Sequence, residues 1–298
     1  MVATAENADI APSCASSETS ERHSSSSEAI CFIVGFGYFG SIIKKKLIGH
    51  KVVTIDHHNT NCDFNSVDDV PAADGYWFIT TPASTHYDII LKLFEKGVKN
   101  IWVEKPVCPT WDQTLDIFSK KPNDVFLYCD FTWLQHSAIK RLSLCENINH
   151  IQMKWLNDGT MIPKDVNIVS DLAVHPISIL IFFLTRSQDV VEAVTVIYAS
   201  NTIVVFCGRS KKGVTFYIEV SNVAKTKVRS MSVYCPAGVH HWTSEKQFYI
   251  DGLGSVNEAD AIEENLRCFF SKNAIAFLLD IARTMGTVDD LFRTFLEK

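Results

Sequence analysis

The chain has 298 residues, 47% of them hydrophobic and 21% charged, which suits one large or two ordinary globular domains and excludes disorder throughout. Its 34 acidic against 28 basic residues leave a net charge of -6, without the basic footprint of a nucleic-acid or anionic-membrane binder. Nine cysteines run from Cys14 to Cys268 with no CxxC pair, so neither a metal site nor a disulfide framework is written in the spacing. Free thiols in a reducing compartment are the simplest reading.

Residues 1–28 hold eight serines and few large apolar groups, and read as a disordered tail that cannot offset its ordering entropy. The tail lacks the apolar core of a secretory signal, and its acids argue against a mitochondrial presequence. A cytoplasmic location is expected, with a plastid address as the alternative. The longest apolar stretch, PISILIFFL at 176–184, is about half of what a bilayer demands.

From Ala29, apolar β-rich runs alternate with amphipathic ones. Strands are predicted at 29–34, 51–55, 76–80, 100–104 and 125–129, with helices at 39–48, 84–96 and 110–119. Lys44, Lys45 and Lys46 read as the solvated face of the first helix. Strands this apolar, separated by helices, imply a parallel sheet covered on both faces. The fold class is therefore α/β, with a doubly wound Rossmann domain over 29–131.

After residue 131 the rhythm changes. Helices near 134–143 and 171–184 flank a strand at 150–156, and strands follow at 190–199, 202–207, 213–221, 227–235 and 247–250. Short turns such as GRSKKG (208–213) predict a mainly antiparallel sheet, so 132–298 reads as an α+β domain for substrate binding and oligomerisation. Helices at 257–270, 273–285 and 287–297 close the chain. Aromatic residues in 213–250 read as sheet-face packing or as the interface of a homodimer or homotetramer.

The stretch FIVGFGYFG places Gly35, Gly37 and Gly40 as GxGxxG after a strand and at the start of a helix. Such glycines serve a tight turn, close backbone approach to a pyrophosphate and close helix packing, with the phosphates at the positive helix end. The loop positions Phe36, Tyr38 and Phe39 belong to the same expected cofactor site. The next strand ends at Asp56, 21 residues beyond Gly35, where an acid binds the ribose 2′-hydroxyl and repels a 2′-phosphate. NAD is therefore expected over NADP. His57 and His58 follow, placed to flank an adenine or simply exposed.

With TTPASTHYD (80–88) and VEKPV (103–107) after the next two strands and SDLAVHP (170–176) in the second half, the order of motifs resembles the Gfo/Idh/MocA family of NAD(P)-dependent oxidoreductases. The likeness is best over 30–131. It implies cofactor contacts from Thr80, Thr81, Pro82, His86, Glu104 and Lys105. It further implies that Lys105 projects between nicotinamide and substrate, and that the peptide before Pro106 is cis as in many members. By the same resemblance His175 is the general base and Asp171 orients it. Four residues apart on a predicted helix, Asp171 and His175 share one face, and a neutral imidazole suits base catalysis at physiological pH. The plain alternative is a helix cap and a satisfied histidine. A metal at this pair is not expected, since no third ligand is evident.

Trp133, Gln135 and His136 fall in the crossover between domains and are candidates for lining the substrate cleft, with core packing equally open for Trp133. Trp155, Asn157 and Asp158 are similar candidates. One departure stands out, because Ile168, Val169 and Ser170 occupy positions where family members carry glycines. The expected function is hydride transfer between a nicotinamide cofactor and a secondary alcohol or ketone of a sugar, cyclitol or nucleotide-sugar. The alternatives are a non-catalytic dinucleotide sensor and a reductase of a dihydrodiol or tetrapyrrole on the same scaffold.

Overall fold

The computed structural model describes residues 29–71, 74–160, 165–273 and 278–297, so the predicted tail and Cys14 lie outside the described residues. Five parallel strands form the first sheet: β1 (Ile30–Val34), β2 (Lys51–Ile55), β3 (Tyr76–Ile79), β4 (Asn100–Glu104) and β5 (Phe126–Asp130). They stand in the order β2-β1-β3-β4-β5. Their unbroken apolarity has a direct cause, because successive side chains go to opposite faces and both faces are covered. Cys31, Ile33, Phe78, Trp102 and Tyr128 pack on one side against Ile43 of helix α1 (Tyr38–Lys46). Phe32, Val34, Trp77, Ile79, Ile101 and Val103 pack on the other side, where α2 (His86–Glu95) and α3 (Trp111–Lys120) bury Ile90, Leu93 and Ile117.

The crossover is a 3-10 turn, Thr132–Gln135, followed by α4 (Ser137–Leu142), shorter than the helix predicted over 134–143. The second sheet comprises β6 (His150–Leu156), β7 (Val191–Ser200), β8 (Ile203–Ser210), β9 (Thr215–Ser221), β10 (Val228–Cys235), β11 (Gly238–Thr243), β12 (Tyr249–Asp251) and β13 (Gly254–Ser255). Its order is β13-β12-β11-β10-β6-β9-β8-β7, antiparallel throughout except for the β6/β9 pair. Strand β11 escaped the sequence reading, since GVHHWT lacks the β-branched run that marks its neighbours. One face is apolar, with Ile151, Met153 and Trp155 beside Phe216, Ile218 and Val220. The opposite face carries Lys154 and Glu219, paired at 3.3 Å.

Helix α5 (Val174–Arg186) fills the apolar face. The 18 residues Val169–Arg186 are apolar enough to cross a membrane, yet 72% of that span is buried inside the protein, as befits a core helix. Its entry is a π-helical turn, Val169–Ala173, rather than the regular start predicted at 171. The last helices are α6 (Ala261–Phe270) and α7 (Leu278–Leu296). Two helices divided at Gly286 were predicted for α7. The helix instead runs on through Gly286, where a Cβ would make only an ordinary contact with Trp111 of α3, at 3.5 Å.

Candidate active site

Three glycines shape the turn from β1 into α1, each differently. Gly35 has φ of +92°, and a Cβ there would fall 2.6 Å from the Thr81 backbone nitrogen. A Cβ on Gly40 would fall 2.3 Å from the Gly35 carbonyl oxygen. Gly37, by contrast, would meet nothing within 4 Å, and it is the N-cap of a helix that no side chain caps. Two glycines therefore allow close packing, while the third leaves space at the positive helix end where an anion is favoured. The Thr80 hydroxyl donates to the Gly35 carbonyl at 2.6 Å and fixes the loop.

Asp56 closes this cleft. Its Oδ2 accepts from the Phe36 N–H at 2.7 Å, and its Oδ1 accepts from the N–H groups of His58 and Asn59 at 2.8 and 3.0 Å. Burial pushes the carboxyl up, but these donors outweigh it and hold the group below the ordinary range, fully ionised. The cleft encloses about 650 Å³ and is lined by Gly35, Gly37, Asp56, His57, Thr81 and Pro82 among others. A phosphate-sized opening at one helix end and a fixed carboxylate beyond it fit a dinucleotide.

The second half of the site gathers at the carboxyl end of β4. The Lys105–Pro106 peptide is cis, as the resemblance implied. Lys105 Nζ donates to the Asp171 carbonyl at 2.9 Å and to its Oδ1 at 3.1 Å, across the boundary between the sheets. Burial works against the ammonium, but the negative charges of Glu104 and Asp171 hold its pKa above the usual lysine value. Glu104 and Asp130 face one another across β4 and β5. Burial, reinforced by Asp130 and Asp171, pushes Glu104 up to about 8 despite Lys105. Burial likewise pushes Asp130 to about 7. Asp130 Oδ1 accepts from Asn265 and Thr132, and its Oδ2 has no partner among the described residues.

Asp171 lies in the π-helical turn, its N–H bonded to the Asn167 carbonyl, and His175 is the second residue of α5. Burial first, then the positive charges of Lys105 and Arg229, drive the His175 pKa well below its ordinary value. The imidazole is therefore neutral at pH 7, and its Nδ1 is buried without a partner among the described residues. The Trp155 ring is centred 6.3 Å from that imidazole, and the Arg229 guanidinium lies 5.3 Å from the Trp155 ring centre. Trp155 Nε1 and Arg229 Nε are unpartnered as well. Trp155 and Arg229 are themselves buried, so these groups belong to the packing around His175.

Several expected contacts take other roles. His86 is a clamp, its Nδ1 and Nε2 lying 2.8 and 2.9 Å from the carbonyl oxygens of Pro106 and Thr81, and so it binds two loops together rather than touching the cleft. Phe39 stacks on Trp102, Tyr38 is 77% exposed, and Phe36 packs beneath the Lys44 ammonium while lending its N–H to Asp56. Glu104 sits beneath Lys105 and beside Asp130. Trp133 makes edge contacts with Trp155 and Trp242, which is packing. His136 caps α4 through Nδ1 and stacks on Phe248, and Gln135 lines a groove with Ser137 and Lys140. Asn157 is a supporting residue whose Oδ1 accepts from Arg229 at 2.5 Å. Ile168 and Val169 are buried in the core.

Arg229 is the residue the sequence reading missed. In VRSMSVYC it shares the register of the buried Met231 and Val233, and a charge in a buried register was the available signal. Asp130 was missed for a different reason, since an acid at a strand end looks ordinary.

Residues 50–121 match the Gfo/Idh/MocA family, an oxidoreductase family with an NAD-binding Rossmann fold. No curated protein matches the chain by sequence. Among solved structures, UDP-N-acetylglucosamine 3-dehydrogenase from Acidithiobacillus ferrooxidans is 17% identical with a TM-score of 0.76, covering 90% of this chain and 99% of its own. The gentamicin A biosynthesis protein GenD2 in complex with NAD is 12% identical with a TM-score of 0.75, covering 93% and 97%. A levoglucosan dehydrogenase in complex with NADH is also 12% identical, with a TM-score of 0.71 and coverage of 90% and 98%.

Proposed function

From the match of residues 50–121 to the Gfo/Idh/MocA oxidoreductase family with its NAD-binding Rossmann fold, we propose that the protein is an NAD-dependent dehydrogenase of a secondary alcohol in a sugar, cyclitol or nucleotide-sugar. The observation that carries the proposal is the Lys105–Asp171 ion pair, whose ammonium helps keep His175 neutral, in a chain that also holds the glycine-and-aspartate cleft. NAD, rather than NADP, follows from the ionised Asp56, whose charge repels a 2′-phosphate.

A nicotinamide cofactor held by the Gly35–Gly37 turn and Asp56 would supply the hydride acceptor for the carbinol carbon. The chain's own residues handle the proton and the charge. His175, kept neutral by burial and by Lys105, takes the hydroxyl proton as the carbonyl forms. Lys105 donates to the same oxygen and stabilises the negative charge that develops there. Asp171, paired with it at 3.1 Å, keeps that ammonium charged in a buried setting. Lys105 and Arg229 set two positive charges near His175, which suits a substrate rich in hydroxyl or phosphate oxygen. That preference favours a sugar class over an apolar tetrapyrrole or dihydrodiol.

A second reading rests on the same ion pair. Lys105 and Asp171 tie the two sheets together, and in a dinucleotide sensor that tie would be purely structural. Turnover separates the two. With NAD and a panel of polyols, sugars and nucleotide-sugars, the dehydrogenase reading expects substrate-dependent NADH formation that Lys105→Met abolishes while NADH affinity stays within about threefold. Unchanged turnover in the variant, or tight NAD binding with no turnover on any substrate, would overturn it.

A further inference from the structure

Away from the cleft, three residues distant in sequence converge on one spot. Cys145 lies three residues beyond α4, with its N–H bonded to the Leu142 carbonyl at 3.0 Å. Cys235 ends β10, and His240 lies on β11. The hairpin register explains part of the meeting. Cys235 pairs with Gly238 and Val233 with His240, so Cys235 and His240 share one face as diagonal neighbours. The loop after α4 adds the second sulfur. One ligand atom from each of the three residues lies within 4.8 Å of the others.

We propose that Cys145, Cys235 and His240 form a binding site for a thiophilic metal ion, Zn²⁺, that joins the crossover helix to the β10–β11 hairpin.

The chemistry of the donors supports the choice. Two thiols and an imidazole are a soft set that selects Zn²⁺ or Cu⁺ over Mg²⁺ or Ca²⁺. Bond lengths of about 2.3 Å to sulfur and about 2.0 Å to nitrogen place tetrahedral ligands roughly 3.5–4 Å apart, so the trio needs to contract by on the order of 1 Å. His240 is 6% exposed and its Nδ1 has no hydrogen-bond partner among the described residues, an unusual state for a buried imidazole. Gly252 has φ of +88°, and a Cβ there would stand 2.7 Å from that nitrogen, so the glycine makes room beside the ring.

Glu146 and Arg141 line the cavity of about 360 Å³ that opens onto the trio. A Glu146 carboxylate or a water completes the tetrahedron, and binding releases a proton from each thiol. With two thiolates, one Zn²⁺, Glu146 and Arg141, the formal charges cancel. The cysteines are 90 positions apart in the chain and carry no CxxC, which is why the spacing gave no sign of a site.

The test uses the full chain, reduced and stripped by chelator, then given one equivalent of Zn²⁺ or Co²⁺. We expect one Zn²⁺ to remain through gel filtration with submicromolar affinity, and the Co²⁺ form to show thiolate-to-metal charge-transfer absorption. Cys145→Ser and Cys235→Ser should each weaken Zn²⁺ binding by at least about tenfold and dim that band, with the apo melting temperature unchanged. In the unaltered chain, Zn²⁺ should protect Cys145 and Cys235 from alkylation, a readout that does not depend on a variant folding. No stoichiometric Zn²⁺ in the reduced chain, or equal binding by the double Cys→Ser variant, would overturn the proposal. So would a Co²⁺ spectrum without thiolate character, or full alkylation of both cysteines in the presence of Zn²⁺.

Discussion

Glu104 and Asp130 stand opposite one another at the carboxyl ends of β4 and β5, directly behind the Lys105 ammonium. Both carboxyls keep protons to unusually high pH, about 8 and about 7, against ordinary values of 4.5 and 3.8. Between the ordinary range and those values the folded chain holds protons that the unfolded chain has released, so stability falls as pH rises through that window and levels off above it. Urea midpoints measured at about pH 5 and about pH 8.5 should show this loss. In Glu104→Gln the difference should shrink, because the amide cannot titrate. An equal loss in both proteins would mean that Glu104 does not hold its proton.

Gly37→Ala and Gly40→Ala should separate binding from folding. At Gly37 an alanine meets nothing, so the melting temperature should stay within a few degrees while NADH affinity drops by about tenfold, the phosphates losing their close approach. At Gly40 the new methyl would collide with the Gly35 carbonyl, and a loss of about 2–3 kcal/mol is expected. Calorimetric melting and NADH fluorescence titration of both variants are the measurements. A stable Gly40→Ala with wild-type affinity would contradict the close packing of this turn.

Removing the charge at Asp56 should change cofactor choice. Asp56→Asn keeps one acceptor oxygen, enough for the Phe36 N–H or for those of His58 and Asn59 but not for both, so its melting temperature is measured alongside. NADH should bind about tenfold more weakly and discrimination against NADPH should largely vanish. Titration of both nucleotides against both proteins decides it, and an unaltered NADH/NADPH ratio would place the adenosine ribose elsewhere.

His175→Ala should lower kcat by about 10²–10⁴-fold with little change in NADH affinity. The pH profile is the sharper readout. Burial and the Lys105 charge hold the imidazole pKa well below its usual 6.5, so the base stays neutral and kcat should not begin its acid-side decline until well below that pH. A decline centred at 6.5 or above would show that the working base is another group.

The parallel sheet was legible because its strands are apolar on both faces, and the glycine loop and Asp56 because turn chemistry imposes fixed spacings. The order of the motifs pointed to Lys105, Asp171 and His175, and the structure pairs Lys105 with Asp171. His86 and His136 were misread, since a motif position does not reveal whether an imidazole faces a ligand or two carbonyls. Arg229 and Asp130 depend on which strands lie side by side, and β10 meets β6 from 72 residues away, at Val228 and Leu156. The join at Gly286 misled because a glycine often ends a helix, whereas α7 tolerates one in its interior.

Helix α6 returns from the end of the chain to the first sheet, where Phe269 packs on Phe78, Tyr76 and Tyr128, and Lys46 of α1 reaches back to Asp260 and Glu263. The nucleotide-binding sheet is therefore unfinished until residues near 270 have been made. On the ribosome, the part of its aromatic face that α6 covers stays open while the whole second sheet is synthesised, until α6 itself has emerged. A piece cut at the crossover would carry every residue proposed to hold the cofactor and still expose to water the aromatic side chains that Phe269 covers.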